Sequence, residues 1–177
     1  MSSLLGQQVL SGEVVSPEAL PICEVLVELL DESQNVIAQD MTEEDGTFSF
    51  EEVASGDYHL RFSRQDQPLN GTSTYDLVLS MRHVLGFDNL SPYQIWATDV
   101  NGTGTTTTLD LLLMRRVILG IEEGFSETNW MFDEEDLPLT ESPDNQVAIT
   151  LVDTPINVAI IGVKLGDVNG NAVLDCQ

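Results

Sequence analysis

The strongest constraint on the fold is an internal repeat of two segments that lie 34 residues apart. Seven of thirteen positions are identical between residues 74–86 and 108–120, which is more than chance agreement would give. Each copy carries apolar side chains at helical spacing, in the first copy at Leu77, Met81, Val84 and Leu85, and ends in a glycine, a frequent helix terminator. The repeat predicts two equivalent helices, and SPYQIWA, with a capping pattern from Ser91, predicts a shorter one between them.

The first third of the chain has a different pattern, in which apolar residues alternate with polar ones. This period of two occurs in CEVLVELL, TFSFEEV and GDYHLRFS, with turn-forming residues between the segments, and it predicts an antiparallel β-sandwich. Strand-like runs return near the end, in QVAITLV and NVAIIGVKLG. We therefore expect an α+β chain with a sandwich over 1–64, a helical unit over 65–120, and an acidic, strand-containing extension over 121–177 that packs on both.

The sandwich segment also resembles a known family. GEVV followed by VLVELLDESQNVIAQDMTEEDGTFSFEEVASGDYHLRF is similar to the transthyretin-like sandwich of Cna B-type and carboxypeptidase regulatory-like domains. The resemblance implies a spacer module in a secreted or surface protein, without catalysis. The isopeptide-forming lysine of some relatives has no counterpart here, because the chain's one lysine, Lys164, lies outside this segment.

Charge excludes several partners. The formal net charge of −24 makes nucleic acid and anionic membranes poor partners, because both require dense Lys and Arg. No apolar run reaches the length of a membrane span, and MSSLLGQQVL has no signal-peptide pattern. The acidity fits either a solvated surface or oxygen ligands for a hard cation. Cys23 and Cys176 lack metal-ligand spacing, so they are either one long-range disulfide or two free thiols.

The loop before the second repeat helix, DVNGTGTTTTLD, has the spacing of a calcium loop. Loops of the EF-hand type place oxygen ligands at positions 1, 3, 5, 7, 9 and 12 and a glycine at position 6. Numbered from Asp99, glycine falls at Gly104 and every ligand position holds an oxygen-bearing group. The competing interpretation is a connector with turn and cap residues. We predict a Ca²⁺ site with the ligands Asp99, Asn101, Thr103, Thr105 (carbonyl), Thr107 and Asp110.

The repeated loop and helix resemble the dockerin family of calcium-dependent modules that bind cohesin domains, over residues 65–120. DVNGTGTTTTLDLLLMRRVILG carries the specific part of this resemblance. The family's partner-recognition pair falls on Thr108 and Leu109, and in the first copy on Thr74 and Tyr75. Cellulosomal members commonly have Ser-Thr there, so Tyr75 and Leu109 depart from the pattern.

The first copy of the loop is incomplete. Its helix starts with an aspartate, Asp76, but the opening Asp-x-Asn is missing from SRQDQPLNGTSTYD. The motif Asp-Val-Asn-Gly recurs only at Asp167 to Gly170. We therefore consider three possibilities: Asp167 and Asn169 return to complete a second site with Asp76, Asp66 and Asn70 complete a distorted one, or Asp167 opens a turn that binds nothing.

Catalysis is not expected, because motifs for a nucleophile elbow, a zinc helix or a phosphate loop are missing from the sequence. His59 is expected to face solvent, and neither it nor His83 has a metal partner at ligand spacing. The sequons at Asn70 and Asn101 leave N-glycosylation open, although a glycan on Asn101 would compete with calcium.

The expected function is a non-enzymatic, extracellular calcium-binding module that associates with proteins at a bacterial surface. The partner is either a cohesin-like receptor or copies of the chain in a fibre, formed when the strand LLGQQVLSGEVV adds to a neighbouring sheet. The alternative is an accessory C-terminal module of a large secreted hydrolase.

Overall fold

The structure is a computed structural model that describes residues 8–125, 128–135, 144–152, 154–174 and 176. These residues form two packed β-sheets and three α-helices. The strands and helices, in chain order, are β1 (Gln8–Val15), β2 (Leu26–Leu30), β3 (Val36–Met41), β4 (Thr47–Val53), β5 (Gly56–Ser63), α1 (Thr74–Val84), α2 (Pro92–Thr98), α3 (Thr108–Ile118), β6 (Trp130–Glu134), β7 (Gln146–Leu151) and β8 (Ile156–Lys164).

Each sheet combines strands from both ends of the sequence. The first sheet has the order β4-β1-β8-β6, and the second has the order β3-β2-β5-β7. All pairs are antiparallel except β1 and β8, which run parallel with Leu10 opposite Ile156. The sandwich is therefore mixed rather than purely antiparallel.

The core lies between the two sheets and follows the predicted alternation. Val25, Val27 and Leu29 are buried, as are Leu60 and Phe62 on the neighbouring strand β5. Aromatic rings fill the centre: the Phe62 ring centroid lies 6.0 Å from that of Phe48 and 5.9 Å from that of Phe132. The β-sandwich predicted from the sequence is thus confirmed, with large apolar side chains supplying most of its burial.

Gly12 in β1 lies between Phe48 of β4 and Val158 of β8, its partners on the two neighbouring strands of the first sheet. A Cβ atom at this position would lie 2.6 Å from both the Phe48 ring and the carbonyl oxygen of Val158. Only glycine leaves room for that ring, so the residue type is set by packing.

The predicted division of the chain at residues 64 and 120 does not describe the sandwich. Strand β8 lies between β1 and β6, and β7 pairs with β5 from Gly56↔Leu151 to Arg61↔Gln146. Without these strands β1 would lose one partner and β5 would become an edge. The extension is therefore an integral part of both sheets, which a pattern of local periodicity could not reveal.

The N-terminal strand is also placed differently from the expectation. Strand β1 is hydrogen-bonded to β4 on one side and to β8 on the other. With both edges occupied it cannot add to a neighbouring sheet, so its predicted role in a fibre is wrong. Leu4 to Gln7 of the predicted strand lie outside the described residues.

The three helices form where the sequence predicts them, and the cap of α2 and the glycine ends of the two repeat helices are as expected. Ser73, Ser91 and Thr107 are their N-caps, each with a complete capping box. Gly86 and Gly120 follow the two repeat helices with φ of +74° and +66°, a backbone conformation that favours glycine. The helices pack on the outside of the first sheet, where Trp96, Met114, Val163 and Leu165 belong to a second apolar cluster.

The predicted apolar face of α1 is only partly correct. Leu77 packs against the second cluster, but Met81 is 42% exposed and Leu85 is 61% exposed. The fully buried residues of α1 are polar, Asp76 and Ser80. This happens because the side of α1 that carries Asp76 and Ser80 faces α3 and the C-terminal segment.

One covalent bond joins the two ends of the described chain. Cys23 and Cys176 form a disulfide across 153 residues, so the two alternatives open at the sequence level are decided in favour of pairing. Among the described residues, no helix is long and apolar enough to cross a bilayer.

Candidate metal centre

The loop between α2 and α3 is organised around Asp99. Its carboxylate accepts hydrogen bonds from the backbone N–H of Thr103 (3.0 Å) and of Gly104 (2.6 Å). The Thr103 hydroxyl lies 3.3 Å from the same carboxylate and 3.4 Å from the Thr105 carbonyl oxygen. Positions 1, 5 and 7 of the predicted calcium loop are therefore close together in space.

Asp110, at position 12, closes this loop from the start of α3. It is completely buried, and one carboxylate oxygen accepts hydrogen bonds from the Thr107 N–H (2.8 Å) and hydroxyl (2.9 Å). The other oxygen, Oδ1, has no hydrogen-bond partner, and neither does the buried Oδ1 of Asn101 at position 3. Buried oxygens rarely remain unsatisfied, and a bound cation would satisfy both.

The donor set fits calcium. It contains two carboxylates, an amide oxygen, hydroxyls and one carbonyl, which are the hard oxygen ligands that Ca²⁺ prefers. Within the described residues no group of three His, Cys, Asp or Glu side chains converges. Any metal held here would thus rely on amide, hydroxyl and backbone oxygens as well as on Asp99 and Asp110.

The C-terminal loop repeats this geometry at Asp167. Its carboxylate accepts hydrogen bonds from the N–H of Asn171 (3.1 Å) and Ala172 (2.7 Å), the same relative positions that bond to Asp99. Gly170 has a φ of +70° and the equivalent Gly102 a φ of +67°. Burial raises the pKa of Asp167, backbone hydrogen bonds oppose this, and the nearby Asp76 adds to the rise.

Asp76 connects this loop to α1. Its Oδ2 accepts hydrogen bonds from the Ser73 N–H (2.9 Å) and hydroxyl (2.7 Å). Its Oδ1 accepts hydrogen bonds from the backbone N–H of Val168 (3.0 Å) and Asn169 (3.1 Å). The structure therefore brings Asp167 and Asn169 to Asp76, as the first of the three sequence-level possibilities requires.

Asp66 and Asn70 belong to a different network. Asp66 forms an ion pair with the buried Arg64 (3.0 Å) and accepts a hydrogen bond from the Asn70 amide (2.9 Å). The Asn70 side-chain amide also donates to the Val173 carbonyl oxygen (2.8 Å) and accepts a hydrogen bond from the Val173 N–H (2.9 Å). Their predicted role as metal ligands beside Asp76 is therefore replaced by a structural one, since Arg64 neutralises the carboxylate.

The residues proposed for partner binding lie at the start of the two repeat helices. Tyr75 is 59% exposed and Leu109 is 52% exposed, and Thr74 and Thr108 are exposed beside them. Each helix continues this exposed apolar stripe at matching positions, with the members Val78, Leu85 and Phe87 after Tyr75, and Leu112, Leu119 and Ile121 after Leu109. We refer to these two sets as the helix stripes.

Comparison with known proteins adds a family match. The family described as BOS complex subunit NOMO1-like, second beta sandwich domain, matches residues 6–81. The match covers less than half of the chain and agrees with the β-sandwich. It does not reach residues 99–120, so the dockerin resemblance remains a prediction. No curated protein matches the sequence.

Solved structures give distant similarities. BcpA, the major pilin subunit of Bacillus cereus, is 8% identical with a TM-score of 0.44, over 89% of this chain and 30% of BcpA. The streptococcal ancillary pilin is 7% identical with a TM-score of 0.41, over 93% and 34% of the two chains. A DUF3823 family protein from Parabacteroides merdae is 13% identical with a TM-score of 0.34, over 87% and 45%. The chain thus spans less than half of each structure.

A cavity of about 360 Å³ lies beside the C-terminal loop, between α2 and the sandwich. Its walls include Glu18, Tyr93, Lys164 and Asp167. Neither histidine lines it: His59 lies on β5, and the ring of His83 contacts the backbone of Asp88 and Leu90. Burial lowers the pKa of Lys164 to about 8, against the opposing charges of Asp66 and Asp167.

Three further residues beside Asp76 and Asp167 were not predicted from the sequence as members of this centre. Asn171 occupies the position equivalent to Thr103, and Gly71 and Ser73 precede Asp76 as Thr105 and Thr107 precede Asp110. The signal was present in GDVNGN, where Asn171 follows Asn169 at the ligand spacing of two. This signal is not visible when each loop is read as one continuous segment, because the residues before Asp76 do not contain it.

Proposed function

We propose that this protein is a non-enzymatic, extracellular structural module that calcium stabilises and that associates with other proteins through its helices. The observation that carries the proposal is the completely buried Asp110, which ends a loop of calcium-ligand spacing and whose Oδ1 has no hydrogen-bond partner. Leaving a buried carboxylate oxygen unpaired is costly. An ion bound by Asp99, Asn101 and Asp110 removes that cost and links the end of α2 to the start of α3.

The disulfide supports the extracellular location. Structural disulfides persist in oxidising compartments and are rare in the cytosol. Cys23 and Cys176 are the chain's only cysteines, and they form that bond. Extracellular fluids also contain enough calcium to fill sites of modest affinity. A bacterial surface is the setting we propose.

The helix stripes support association with a protein. Exposed apolar side chains that form a patch often mark an interface, and here they recur at equivalent positions of α1 and α3. Arg115 lies exposed in the last turn of α3, whereas the neighbouring Arg116 is paired with Glu122. A partner surface with apolar and acidic residues, whether on a cohesin-like receptor or on a second copy, would complement this face.

A fibre formed by strand addition would need an edge strand, and β3 is suitable. It pairs with β2 on one side, and Val36, Ile37 and Met41 are between 43% and 53% exposed. Exposed apolar edges are prone to pair with another chain. The alternative role, an accessory module of a large secreted hydrolase, is compatible with the same sites and differs only in the parent protein.

The calcium part of the proposal is tested by thermal denaturation with calcium and with EDTA. Calcium should raise the Tm of the parent, because a ligand that binds only the folded state stabilises it. The variant Asp110→Asn should lose a large part of that rise, whereas Asp57→Asn on β5, away from the loops, should keep it. An identical Tm in calcium and in EDTA would refute the proposal.

The association part is tested by sedimentation and electron microscopy of the purified chain in calcium. The double variant Leu85→Glu and Leu119→Glu tests the helix stripes, and Ile37→Lys tests the β3 edge. If oligomers or fibres disappear in only one of these variants, the surface that it changes is the one that mediates self-association. A parent that sediments as a monomer at every concentration would exclude self-assembly and leave a separate receptor as the partner.

A further inference from the structure

We propose that the protein binds a second calcium ion in a loop that is divided between the two ends of the chain. Residues 167–172 form the first half, and residues 71–76 form the second. We refer to the two together as the split loop. The inference rests on the proposed calcium function and extends it to a site in which the ion joins the C-terminal segment to the start of α1.

The two halves together have the length and sequence of the continuous loop. DVNGNA joined to GTSTYD gives twelve residues, and these are identical to DVNGTGTTTTLD at seven positions. The identities include both terminal aspartates and the asparagine at position 3. The cut falls between positions 6 and 7, at Ala172 and Gly71.

The two residues on either side of the cut lie next to each other in the structure. A Cβ atom on Gly71 would lie 2.8 Å from the Cα of Ala172 and 2.7 Å from Oδ2 of Asp167. Gly71 also has a φ of +76°, where residues with a side chain are disfavoured. Positions 6 and 7 are therefore neighbours although 101 residues separate them in the sequence.

The two loops share several hydrogen bonds, and they differ in that Oδ1 of Asp76 also accepts the N–H groups of Val168 and Asn169, whereas Oδ1 of Asp110 has no partner. Asp167 and Asp99 each accept two backbone N–H groups from positions 5 and 6. Asp76 and Asp110 each accept the N–H and hydroxyl of the N-cap at position 9. The two halves thus reproduce one structural unit, as expected if the repeat was cut and its first half moved to the far end of the chain.

The split loop also contains a buried oxygen without a hydrogen-bond partner. The Oδ1 atom of Asn169 is buried without a hydrogen-bond partner, as is Oδ1 of Asn101 at the same position of the continuous loop. Asp76 is completely buried and Asp167 is 7% exposed. Two buried carboxylates and an unpaired amide oxygen form an anionic site for a hard cation. Its ligands would come from Asp167, Asn169, Asn171, the Gly71 carbonyl, Ser73 and Asp76.

The number of calcium ions bound per chain is measured by isothermal titration calorimetry and by elemental analysis after dialysis. The matched variants are Asp99→Asn and Asp167→Asn, which change position 1 of each loop. We expect two ions per chain in the parent, one in each single variant and none in the double variant. Denaturation in EDTA checks that each variant folds, and Asn169→Ala replaces Asp167→Asn if that variant does not.

A second measurement locates the ion. In the Asp99→Asn background, calcium should slow hydrogen exchange of residues 168–173. One ion in the parent that disappears in Asp99→Asn and remains in Asp167→Asn would overturn the inference, since Asp76 would then only pin the C-terminal segment. No ion in the parent would instead refute the proposed function itself, so the two failures are distinguishable.

Discussion

The carboxylate of Asp76 accepts a hydrogen bond from the backbone N–H of Asn169, 93 residues further along the chain. The same oxygen accepts one from Val168. In the equivalent position of the continuous loop, Oδ1 of Asp110 has no such partner. The two aspartates therefore have different roles before any ion binds: Asp76 holds the C-terminal segment in place, whereas Asp110 is buried with one carboxylate oxygen unpaired.

This difference predicts opposite effects of one substitution in EDTA. Asp76→Asn should lower the free energy of unfolding by about 1–3 kcal/mol, because an amide NH₂ group in place of Oδ1 leaves two backbone donors unpaired. Asp110→Asn should be neutral or slightly stabilising, because it removes a buried charge and keeps the cap oxygen. Urea denaturation measures both. Equal losses in the two variants would contradict this account.

The disulfide should stabilise the fold and the split loop together. Replacing Cys23 and Cys176 by serine should lower the free energy of unfolding by about 2–5 kcal/mol. It should also weaken calcium binding at the split loop, because Asp167 lies nine residues before Cys176. Titration of the Asp99→Asn form with and without reductant measures the effect. The Asp167→Asn form is the control, and its remaining ion should bind equally well in both conditions.

Because Lys164 is buried, the free energy of unfolding should rise at alkaline pH. Burial lowers its pKa from 10.5 to about 8 in the folded protein, against the attraction of Asp66 and Asp167 and with the repulsion of Arg64. Between about pH 8 and 10.5 the unfolded chain binds more protons, so the free energy of unfolding increases with pH, by up to about 3 kcal/mol. Urea denaturation across this range in EDTA should show the increase in the parent. Lys164→Met should show a flat profile, and an equal slope in both would contradict the assignment.

Adding a single methyl group at Gly12 should destabilise the fold strongly. Gly12→Ala places a Cβ atom 2.6 Å from the Phe48 ring and from the backbone of Val158. The resulting repacking should cost about 1–3 kcal/mol. Gly124→Ala is the matched control, because the nearest atoms to its Cβ lie at 3.6 Å. Thermal denaturation compares the two, and an equal Tm would show that the neighbouring strands β4 and β8 accommodate the methyl group without cost.

Much of the local structure could be predicted from the sequence. The alternation in CEVLVELL and GDYHLRFS identified the buried faces of β2 and β5, and the capping pattern at Ser91 marked the start of α2. These signals are local, since each depends on residues within one turn or one strand. The helical spacing of Leu77, Met81 and Leu85 did not show which side of α1 the rest of the protein covers, and Met81 and Leu85 are exposed.

The two candidate sites also differ in how far the sequence could predict them. The continuous loop from Asp99 to Asp110 could be recognised because all its ligand positions are consecutive in the chain. The recurrence of Asp-Val-Asn-Gly at Asp167 raised the question of a second loop, but the sequence left three answers open.

By itself the sequence determined the strand and helix segments, the repeat and the spacing of the first loop, because hydrophobic period, capping and turn chemistry act over a few residues. Only the tertiary structure decided that β7 and β8 complete the two sheets, that Cys23 pairs with Cys176, and that Asp167 lies beside Gly71. These are contacts between distant parts of the chain. They depend on how the whole sandwich closes, for which no local pattern carries the information.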